Sequence, residues 1–198
     1  MDIKKSEKIR KVLSNSSVGI AGLGGLGSNA AISLVRVGIG RLVLVDFDNV
    51  EVCNLNRQYY FKDQIGKLKT EALKENIQRI NSYITLEIKN LKLEKGEMEK
   101  PFQNVDVIIE ALDSAKVKTD FIEEIMQKLP KTPLVACSGV AGYGNSDRIK
   151  TKRIGNLYLC QDEKAQSSDD DVLMSPRVCL MANWEANLVL EILLGDDI

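Results

Sequence analysis

The sequence has no histidine and only four cysteines, Cys53, Cys137, Cys160 and Cys179. These cysteines are widely separated and form no C-x-x-C pair. Zinc in proteins is held mainly by cysteine and histidine, so a site made by this chain alone would need all four thiolates to converge, which their spacing does not support. We therefore expect no structural zinc. A reducing cytoplasm also disfavours disulfides, and Cys53, Cys137 and Cys179 are interpreted as packing or loop residues.

A large charge excess and long apolar runs are absent as well. The formal net charge is −1, which provides no general attraction to nucleic acid or to a membrane surface. No apolar run is long enough to span a bilayer, and the N-terminal residues do not resemble a signal peptide. These absences predict a cytoplasmic protein with neither a membrane nor a nucleic-acid partner. A length of 198 residues fits a single domain over residues 1–198.

The most informative segment that is present begins with a glycine loop. An apolar run at residues 18–21 leads into the pattern G-x-G-x-x-G at Gly22, Gly24 and Gly27, and a helical pattern follows at residues 25–37. Glycines at such a turn let the backbone approach phosphate oxygens, and the N–H groups at the start of the helix favour an anion. A tight turn without a ligand produces the same pattern, so the loop alone indicates phosphate binding and does not select the ligand.

The residues after the loop favour ATP over NAD. A second apolar run ends in Asp46, placed about 20 residues beyond the glycines, where an acid accepts hydrogen bonds from ribose hydroxyls in both kinds of site. The polar segment at residues 47–58 then adds amides and Arg57, where a dehydrogenase usually continues into an ordinary helix. Arg57 and the nearby Lys69 neutralise a triphosphate better than a diphosphate bridge requires.

Alternating strand and helix patterns predict an α/β fold. Strands are expected at residues 18–21, 42–46, 84–88, 105–110 and 134–138, and helices at 5–14, 25–37, 67–80 and 115–129 with Ser114 as a cap. Two short added strands are expected at 149–151 and 156–160, followed by a mobile polar run at 161–172 and a terminal helix at 177–194. The fold class is a Rossmann-like doubly wound, mostly parallel sheet, with ligands at the carboxyl ends of the strands.

The motifs together resemble those of the ThiF/MoeB/ubiquitin-activating family. The chain is most similar to the short bacterial ThiF-like proteins that adenylate a sulfur carrier, and the resemblance covers about residues 15–195. The matching segments are residues 22–28 (GLGGLGS), 46–48 (DFD), 54–58 (NLNRQ), 66–69 (GKLK), 111–113 (ALD) and 174–178 (MSPRV).

The resemblance implies an enzyme that uses ATP and Mg²⁺. Its expected reaction is adenylation of the C-terminal Gly-Gly carboxylate of a ubiquitin-like sulfur carrier protein, with release of pyrophosphate, in thiamine thiazole biosynthesis. It also implies a homodimer, an N-terminal helix within residues 1–15, and a carrier-tail region at residues 142–176. Arg10 is a candidate for contact with the phosphates of a partner subunit, although a charged helix face is the favoured explanation.

The resemblance also assigns the site residues. Asp113 holds Mg²⁺ on the phosphates, Asp46 binds the ribose, and Arg57 and Lys69 balance phosphate charge. Because the attacking carboxylate is already ionised at neutral pH, no general base is required, and the lack of histidine is no obstacle. The expected nucleotide-binding set is Gly22, Gly24, Gly25, Gly27, Asp46, Asp48, Asn54, Asn56, Arg57, Lys69, Asp113 and Ser114.

Several of these assignments have simpler alternatives. Asp48 suits a loop cap as well as a nucleotide contact, and Asp113 suits the positive end of the following helix. The family often has asparagine where this chain has Ser114. Cys160 lies close to the position of a transfer cysteine in ThiF-type proteins, and an exposed, ionised thiol there would attack the acyl adenylate.

Two other functions on the same scaffold, and one more distant function, stay open at this point. The same scaffold supports a dehydratase that activates a carboxylate on modified tRNA, although near-neutral charge argues mildly against it. It also supports a catalytically inactive nucleotide-binding partner subunit, which the joint presence of Arg57, Lys69 and Asp113 disfavours. An NAD dehydrogenase is the most distant alternative.

Overall fold

One seven-stranded sheet organises the residues that the computed structural model describes, 3–162, 164 and 172–195. Its strands are β1 (Ser17–Ala21), β2 (Arg41–Asp46), β3 (Thr85–Asn90), β4 (Val107–Glu110), β5 (Leu134–Ser138), β6 (Lys150–Ile154) and β7 (Leu157–Gln161). The strand order is β3-β2-β1-β4-β5-β7-β6, and neighbouring strands are parallel except the antiparallel β6–β7 pair. The predicted Rossmann-like, mostly parallel architecture with an added β segment is confirmed.

The central strands are buried on both faces because helices cover both sides of the sheet. Strands β1, β2, β4 and β5 consist almost wholly of buried residues, as expected for apolar runs in a parallel sheet. The helices are α1 (Ile3–Asn15), α2 (Gly25–Val37), α3 (Lys69–Gln78), α4 (Ala115–Lys128) and α5 (Ser175–Leu194). Helices α2, α3 and α5 share one apolar core with Leu13 of α1, whereas α4 packs in a second core that includes the Phe102–Phe121 ring pair.

The topology brings three chain segments to one edge of the sheet. Strand β1 lies between β2 and β4, so the turns after these three strands meet at their carboxyl ends. This is the point at which successive crossovers leave toward opposite sides of the sheet, and it is where open α/β folds bind ligands.

Several boundaries differ from the sequence prediction. Helix α3 begins at Lys69 instead of residue 67, because Leu68 is extended and forms a β-bridge with Asn49. Helix α5 begins at Ser175 instead of residue 177, with Pro176 in its first turn. Proline is tolerated there because a backbone N–H in the first turn makes no hydrogen bond within the helix. Strand β6 is longer than predicted and reaches Ile154.

Two further expectations concern the chain as a whole. The polar run predicted to be mobile includes residues 167–171, which lie outside the described residues. Within the parts of the chain that the structure describes, no helix is long and apolar enough to cross a membrane.

Candidate functional site

A cavity of about 570 Å³ opens at the carboxyl ends of the parallel strands. One half is formed by the turns after β1, β2 and β4. The other half is formed by the end of β5 and the start of α5. The lining residues include Gly22, Gly24, Gly25, Asp46, Phe47, Asp48, Arg57, Lys69, Leu91, Lys92, Leu93, Asp113, Ser114, Lys118, Cys137, Gly139, Val140, Ala141, Leu173 and Val178.

The glycine loop is closely packed between β1 and α2. Gly22 has φ +91°, and a Cβ added there would lie 2.6 Å from the carbonyl oxygen of Ala111. A Cβ on Gly27 would lie 1.9 Å from the carbonyl oxygen of Gly22, so both positions require glycine for packing. Gly24 differs, since a Cβ there would meet only the Gln58 side chain, at 3.8 Å. The space beside Gly24 is therefore open, and its backbone faces the cavity.

Asp46 fastens this loop to the segment that follows β2. Its carboxylate accepts hydrogen bonds from the Leu23 N–H (2.6 Å) and from the Asp48 N–H (2.8 Å). The Tyr60 hydroxyl donates to the Leu23 carbonyl oxygen (2.8 Å). Burial, together with the nearby Asp46 and Asp48 charges, raises the pKa of Tyr60 well above its usual value, so this donor stays protonated. A carboxylate has further lone pairs, so Asp46 can still accept bonds from ribose hydroxyls.

Lys69 and Asp48 form an ion pair at the cavity wall, with 2.7 Å between Nζ and Oδ2. The Lys69 side chain is 8% exposed, whereas that of Asp48 is 44% exposed. The Asp48 carboxylate therefore pairs with Lys69 instead of capping its own loop. An incoming phosphate can compete with this half-exposed carboxylate for the lysine.

Arg57 is held by two groups next to it in the chain. Its Nη1 donates to the Cys53 carbonyl oxygen (3.0 Å) and to Asn56 Oδ1 (2.8 Å). Asn29 on α2 was not predicted as a site residue, yet its Nδ2 donates to the carbonyl oxygens of Arg57 (3.0 Å) and Gly25 (2.7 Å). Asn29 thus links the backbone of Arg57 to the glycine loop.

Gly27, Asn54 and Asn56 were predicted to bind the nucleotide, but they do not line the cavity. Gly27 packs on the Gly22 carbonyl, as described above. The buried Asn54 accepts the Glu51 N–H at its Oδ1 (2.9 Å), and Asn56 contacts Arg57. Both asparagines shape the turn that carries Arg57, which is a supporting role that the linear motif does not distinguish from direct contact.

Asp113 and Ser114 lie at the start of α4. Ser114 occupies the cap position, but its side chain makes no capping hydrogen bond. Asp113 is exposed, and among the described residues its carboxylate has no hydrogen-bond or ion-pair partner. No group of three or more acidic, cysteine or histidine side chains in the described part of the chain is arranged to hold a metal. A single open carboxylate nevertheless suits Mg²⁺ that takes its other ligands from phosphates and water.

The transfer role considered for Cys160 requires an exposed thiol, and the structure contradicts that requirement. Cys160 is fully buried and does not line the cavity. It lies in register with Cys137 on the neighbouring parallel strand. Cys137 lines the cavity, and contact with Cys160, together with burial, raises its pKa well above the usual value. A protonated thiol is a poor nucleophile, so Cys137 is not prepared for attack. Cys160 is buried outside the cavity lining.

A buried cluster of titratable residues that was not predicted from the sequence lies next to the cavity. Lys118 donates to the Glu110 carboxylate and to the Cys137 carbonyl oxygen (3.0 Å). Glu185 on α5 is fully buried nearby, and burial raises its pKa well above the usual value. The sequence contains one sign of this cluster: Glu185 interrupts the apolar stripe of the terminal helix, which is formed by Met181, Ala182, Ala186 and Val189.

A glycine loop, an acid at the end of the second strand and two adjoining cations lie together at the carboxyl ends of the strands in a protein of the doubly wound α/β class. The family is settled by sequence comparison: a model described as the ThiF family matches residues 2–198, and the chain belongs to that family.

Curated relatives cover different shares of the chain. Molybdopterin-synthase adenylyltransferase from Escherichia coli is 27% identical over 191 residues, which is 94% of this chain and 76% of the relative. Adenylyltransferase and sulfurtransferase MOCS3 from Caenorhabditis briggsae is 34% identical over 132 residues, which is 66% of this chain and 32% of the relative. The chain spans about a third of the length of the first curated relatives it matches.

A similar fold occurs in a solved structure with a nucleotide. The E. coli tRNA N6-threonylcarbamoyladenosine dehydratase TcdA, crystallised with ATP, has a TM-score of 0.86 and 21% identity, over 96% of this chain and 90% of that one. This likeness supports the fold assignment.

Proposed function

We propose that the protein uses ATP to adenylate the C-terminal Gly-Gly carboxylate of a ubiquitin-like sulfur carrier protein, releasing pyrophosphate, in thiamine thiazole biosynthesis. The observation that carries this proposal is the continuity of the cavity. A polar nucleotide half and a small-residue half share one space of about 570 Å³, so ATP and a second substrate can meet within it.

The nucleotide half has groups suited to each part of ATP. The partly exposed backbone at Gly24 and Gly25 suits the phosphates, and Asp46 suits the ribose. Phe47, Leu91 and Leu93 provide an apolar wall for the base, next to Lys92, whose Nζ lies 5.4 Å from the centre of the Phe47 ring. Membership of the ThiF family and the ATP complex of TcdA support adenine nucleotides over NAD.

The second half suits an extended tail without side chains. Its walls include Gly139, Val140, Ala141, Leu173 and Val178, which are small or apolar. A Cβ on Gly25 would lie 2.8 Å from Val178 Cγ1, so the glycine loop packs closely against the start of α5 at the cavity wall. Two glycines offer no side chains for recognition, and a narrow channel with backbone contacts selects for them.

In the proposed reaction, a carboxylate oxygen of the carrier attacks the α-phosphorus of ATP. The new P–O bond forms as the bond to the bridging oxygen of the β-phosphate breaks, and pyrophosphate leaves with those electrons. No proton has to be removed from the nucleophile. Arg57 and Lys69 align the two anions and balance the charge that develops on the leaving group.

Asp113 would hold Mg²⁺ in this site. When bound, the metal ion lowers the charge repulsion between the phosphates and the incoming carboxylate. The homodimer and the cross-subunit contact by Arg10 remain proposals that rest on the family resemblance. The cytoplasmic location remains a proposal that rests on the sequence. Arg10 is exposed on α1, as such a contact requires.

A second candidate is a dehydratase that activates a carboxylate on modified tRNA. The tRNA threonylcarbamoyladenosine dehydratase of Bacillus subtilis is 30% identical over 150 residues, which is 75% of this chain and 58% of the relative. The edge strand β6 is fully exposed and carries Lys150, Lys152 and Arg153, which suits contact with an RNA backbone. A third candidate, an inactive nucleotide-binding subunit, is disfavoured by the presence of Arg57, Lys69 and Asp113 in one cavity.

Exchange of radiolabelled pyrophosphate into ATP separates these candidates. We expect exchange to depend on a small Gly-Gly-ended protein from the native host and to be lost when its last glycine is removed. Exchange that requires threonylcarbamoyladenosine-modified tRNA instead would favour the dehydratase. ATP binding without exchange in either case would contradict both enzymes and favour the inactive subunit.

A further inference from the structure

Glu185 is an acid without a partner in the interior of the protein. Glu185 is 0% exposed, and both of its carboxyl oxygens lack a hydrogen-bond partner among the described residues. Burying an ionised carboxylate without a partner destabilises the folded protein by several kcal/mol, so the neutral acid is favoured. Burial accordingly raises its pKa well above the usual value.

The groups that face Glu185 come from the sheet and from α4. They are Cys137 on β5, Lys118 on α4 and Glu110 on β4, and Cys160 on β7 lies beside Cys137. Helices α1 and α2 also pack on α5 but contribute no titratable group to this cluster. Glu110 and Glu185 are therefore two acids next to a single cation.

Lys118 connects this cluster to the cavity. Its side chain is 22% exposed and lines the cavity, while Glu110 is fully buried behind it. An ammonium group has three N–H donors, of which Lys118 uses one for Glu110 and one for the Cys137 carbonyl. Among the described residues, the third donor has no partner.

The charge of the cluster decides whether that third donor can serve an anion. With both acids ionised, the cluster would carry a net negative charge beneath a site that must accept phosphates. With Glu185 protonated, the Glu110–Lys118 pair is neutral, and an anionic oxygen in the cavity meets no excess negative charge.

We propose that Glu185 is a positioning residue for Lys118: by keeping a proton, it leaves Lys118 with one carboxylate partner and one N–H available to a phosphate oxygen of the bound nucleotide. This inference rests on the proposed function only in that an adenine nucleotide occupies the cavity. Glu185 itself acts through Lys118 and does not touch the ligand.

The affinity for AMP as a function of pH tests this role. Between the pKa of Glu185 in the unliganded protein and its higher pKa next to a bound phosphate, the wild-type protein must take up a proton on binding AMP. Its affinity therefore falls as the pH rises through that range, by about tenfold for each unit between the two pKa values. Glu185→Gln, which mimics the neutral acid, should bind AMP within about twofold of wild type at neutral pH and lose this alkaline decline.

Two controls make the result specific. Glu191→Gln changes an exposed glutamate on the same helix and should follow the wild-type curve. Adenosine lacks a phosphate and should show no Glu185-dependent change with pH. Coincident curves for wild type and Glu185→Gln, or the same Glu185 dependence with adenosine, would overturn the proposal.

Infrared spectroscopy of the protein without ligand provides an independent measurement. We expect the carbonyl band of a protonated carboxylic acid at pH 8 in wild type and Glu191→Gln, and its loss in Glu185→Gln. Absence of that band in wild type refutes the inference even if AMP does not bind. Failure of ATP and AMP to bind, with the band present, would instead contradict the proposed function.

Discussion

Among the cations that line the cavity, Lys69 is the most enclosed by the protein. Its ammonium group is paired with Asp48, and its aliphatic stem is buried beside the glycine loop. This placement gives a fixed positive charge at the cavity wall, whereas Arg57 is partly exposed.

Replacement of Lys69 by methionine should weaken ATP binding by about 10- to 100-fold, because a charge-assisted bond to phosphate is lost. The stability cost should be about 1 kcal/mol or less, since the Asp48 left behind is half exposed and solvated. Calorimetric titration with ATP measures the first quantity, and urea unfolding measures the second. Lys67, two residues before Lys69, forms an exposed ion pair with Glu75. Lys67→Met is therefore the matched control and should bind ATP normally.

Alanine substitutions at two glycines of the loop should have different effects, one on the free energy of unfolding and the other on ATP affinity. Gly27→Ala places a Cβ 1.9 Å from a backbone oxygen and should cost about 3 kcal/mol of unfolding free energy. Gly24→Ala meets only a side-chain atom at 3.8 Å, so it should cost about 1 kcal/mol or less and mainly weaken ATP binding. Urea unfolding of both variants and ATP titration of Gly24→Ala check this. Similar stability losses at both positions would contradict the loop packing described above.

At the scale of elements, α4 anchors the segment that leads from β3 to β4 and carries Leu91, Lys92 and Leu93 into the cavity wall. The Glu124 carboxylate accepts the N–H groups of Gly96 (2.6 Å) and Met98 (2.8 Å), and Lys128 donates to it (3.0 Å). Burial alone would raise the pKa of Glu124, but the Gly96 N–H, Lys128 and the other donors lower it to about 2.

A carboxyl whose pKa is lower in the folded state stabilises the protein above its unfolded pKa and loses that contribution as the pH falls through the folded pKa. For Glu124 the range runs from about 4.5 down to about 2. After allowance for solvent screening, Glu124→Gln should cost about 1–2 kcal/mol at neutral pH and flatten the decline of stability over this acidic range. Urea unfolding at several pH values measures both effects. The neighbouring exposed Glu123→Gln should match wild type, and an unchanged slope in Glu124→Gln would argue against the anchor.

At the scale of the whole molecule, a buried ion pair joins the end of the sheet to the start of α5. Asp162 follows β7, and its Oδ2 lies 2.6 Å from Arg177 Nη2, with both side chains almost fully buried. Arg177 also donates to the Gly144 carbonyl oxygen (3.2 Å), next to the loop that lines the second half of the cavity.

Breaking this pair should destabilise the entire fold. Asp162→Ala and Arg177→Ala should each cost about 3–5 kcal/mol, because either leaves a buried charge without its partner. The double variant should cost clearly less than the sum of the two single variants, and a double-mutant cycle by urea unfolding measures the difference. Additive costs would mean that the pair has no net coupling.

Sequence and structure agree where a pattern is local. The alternation of apolar strands with amphipathic helices predicts the order of elements, and the placement of Gly22, Asp46 and Asp113 at strand ends predicts that they meet at one cavity. They disagree where a residue's role depends on packing between distant segments. Asn54 and Asn56 support Arg57 instead of lining the cavity, and Cys160 is buried, because neighbouring strands and turns determine what each side chain faces.

The amino-acid sequence by itself determined the fold class, the family and the position of the glycine loop, because hydrophobic period, turn residues and motif spacing are properties of short segments. Only the tertiary structure decided which polar groups meet. Glu110, Lys118 and Glu185 come from three separated elements that pack together in the folded chain. This packing buries Glu185 without a hydrogen-bond partner among the described residues. Burial and charge neighbourhood are properties of the folded chain, so no linear pattern assigns them.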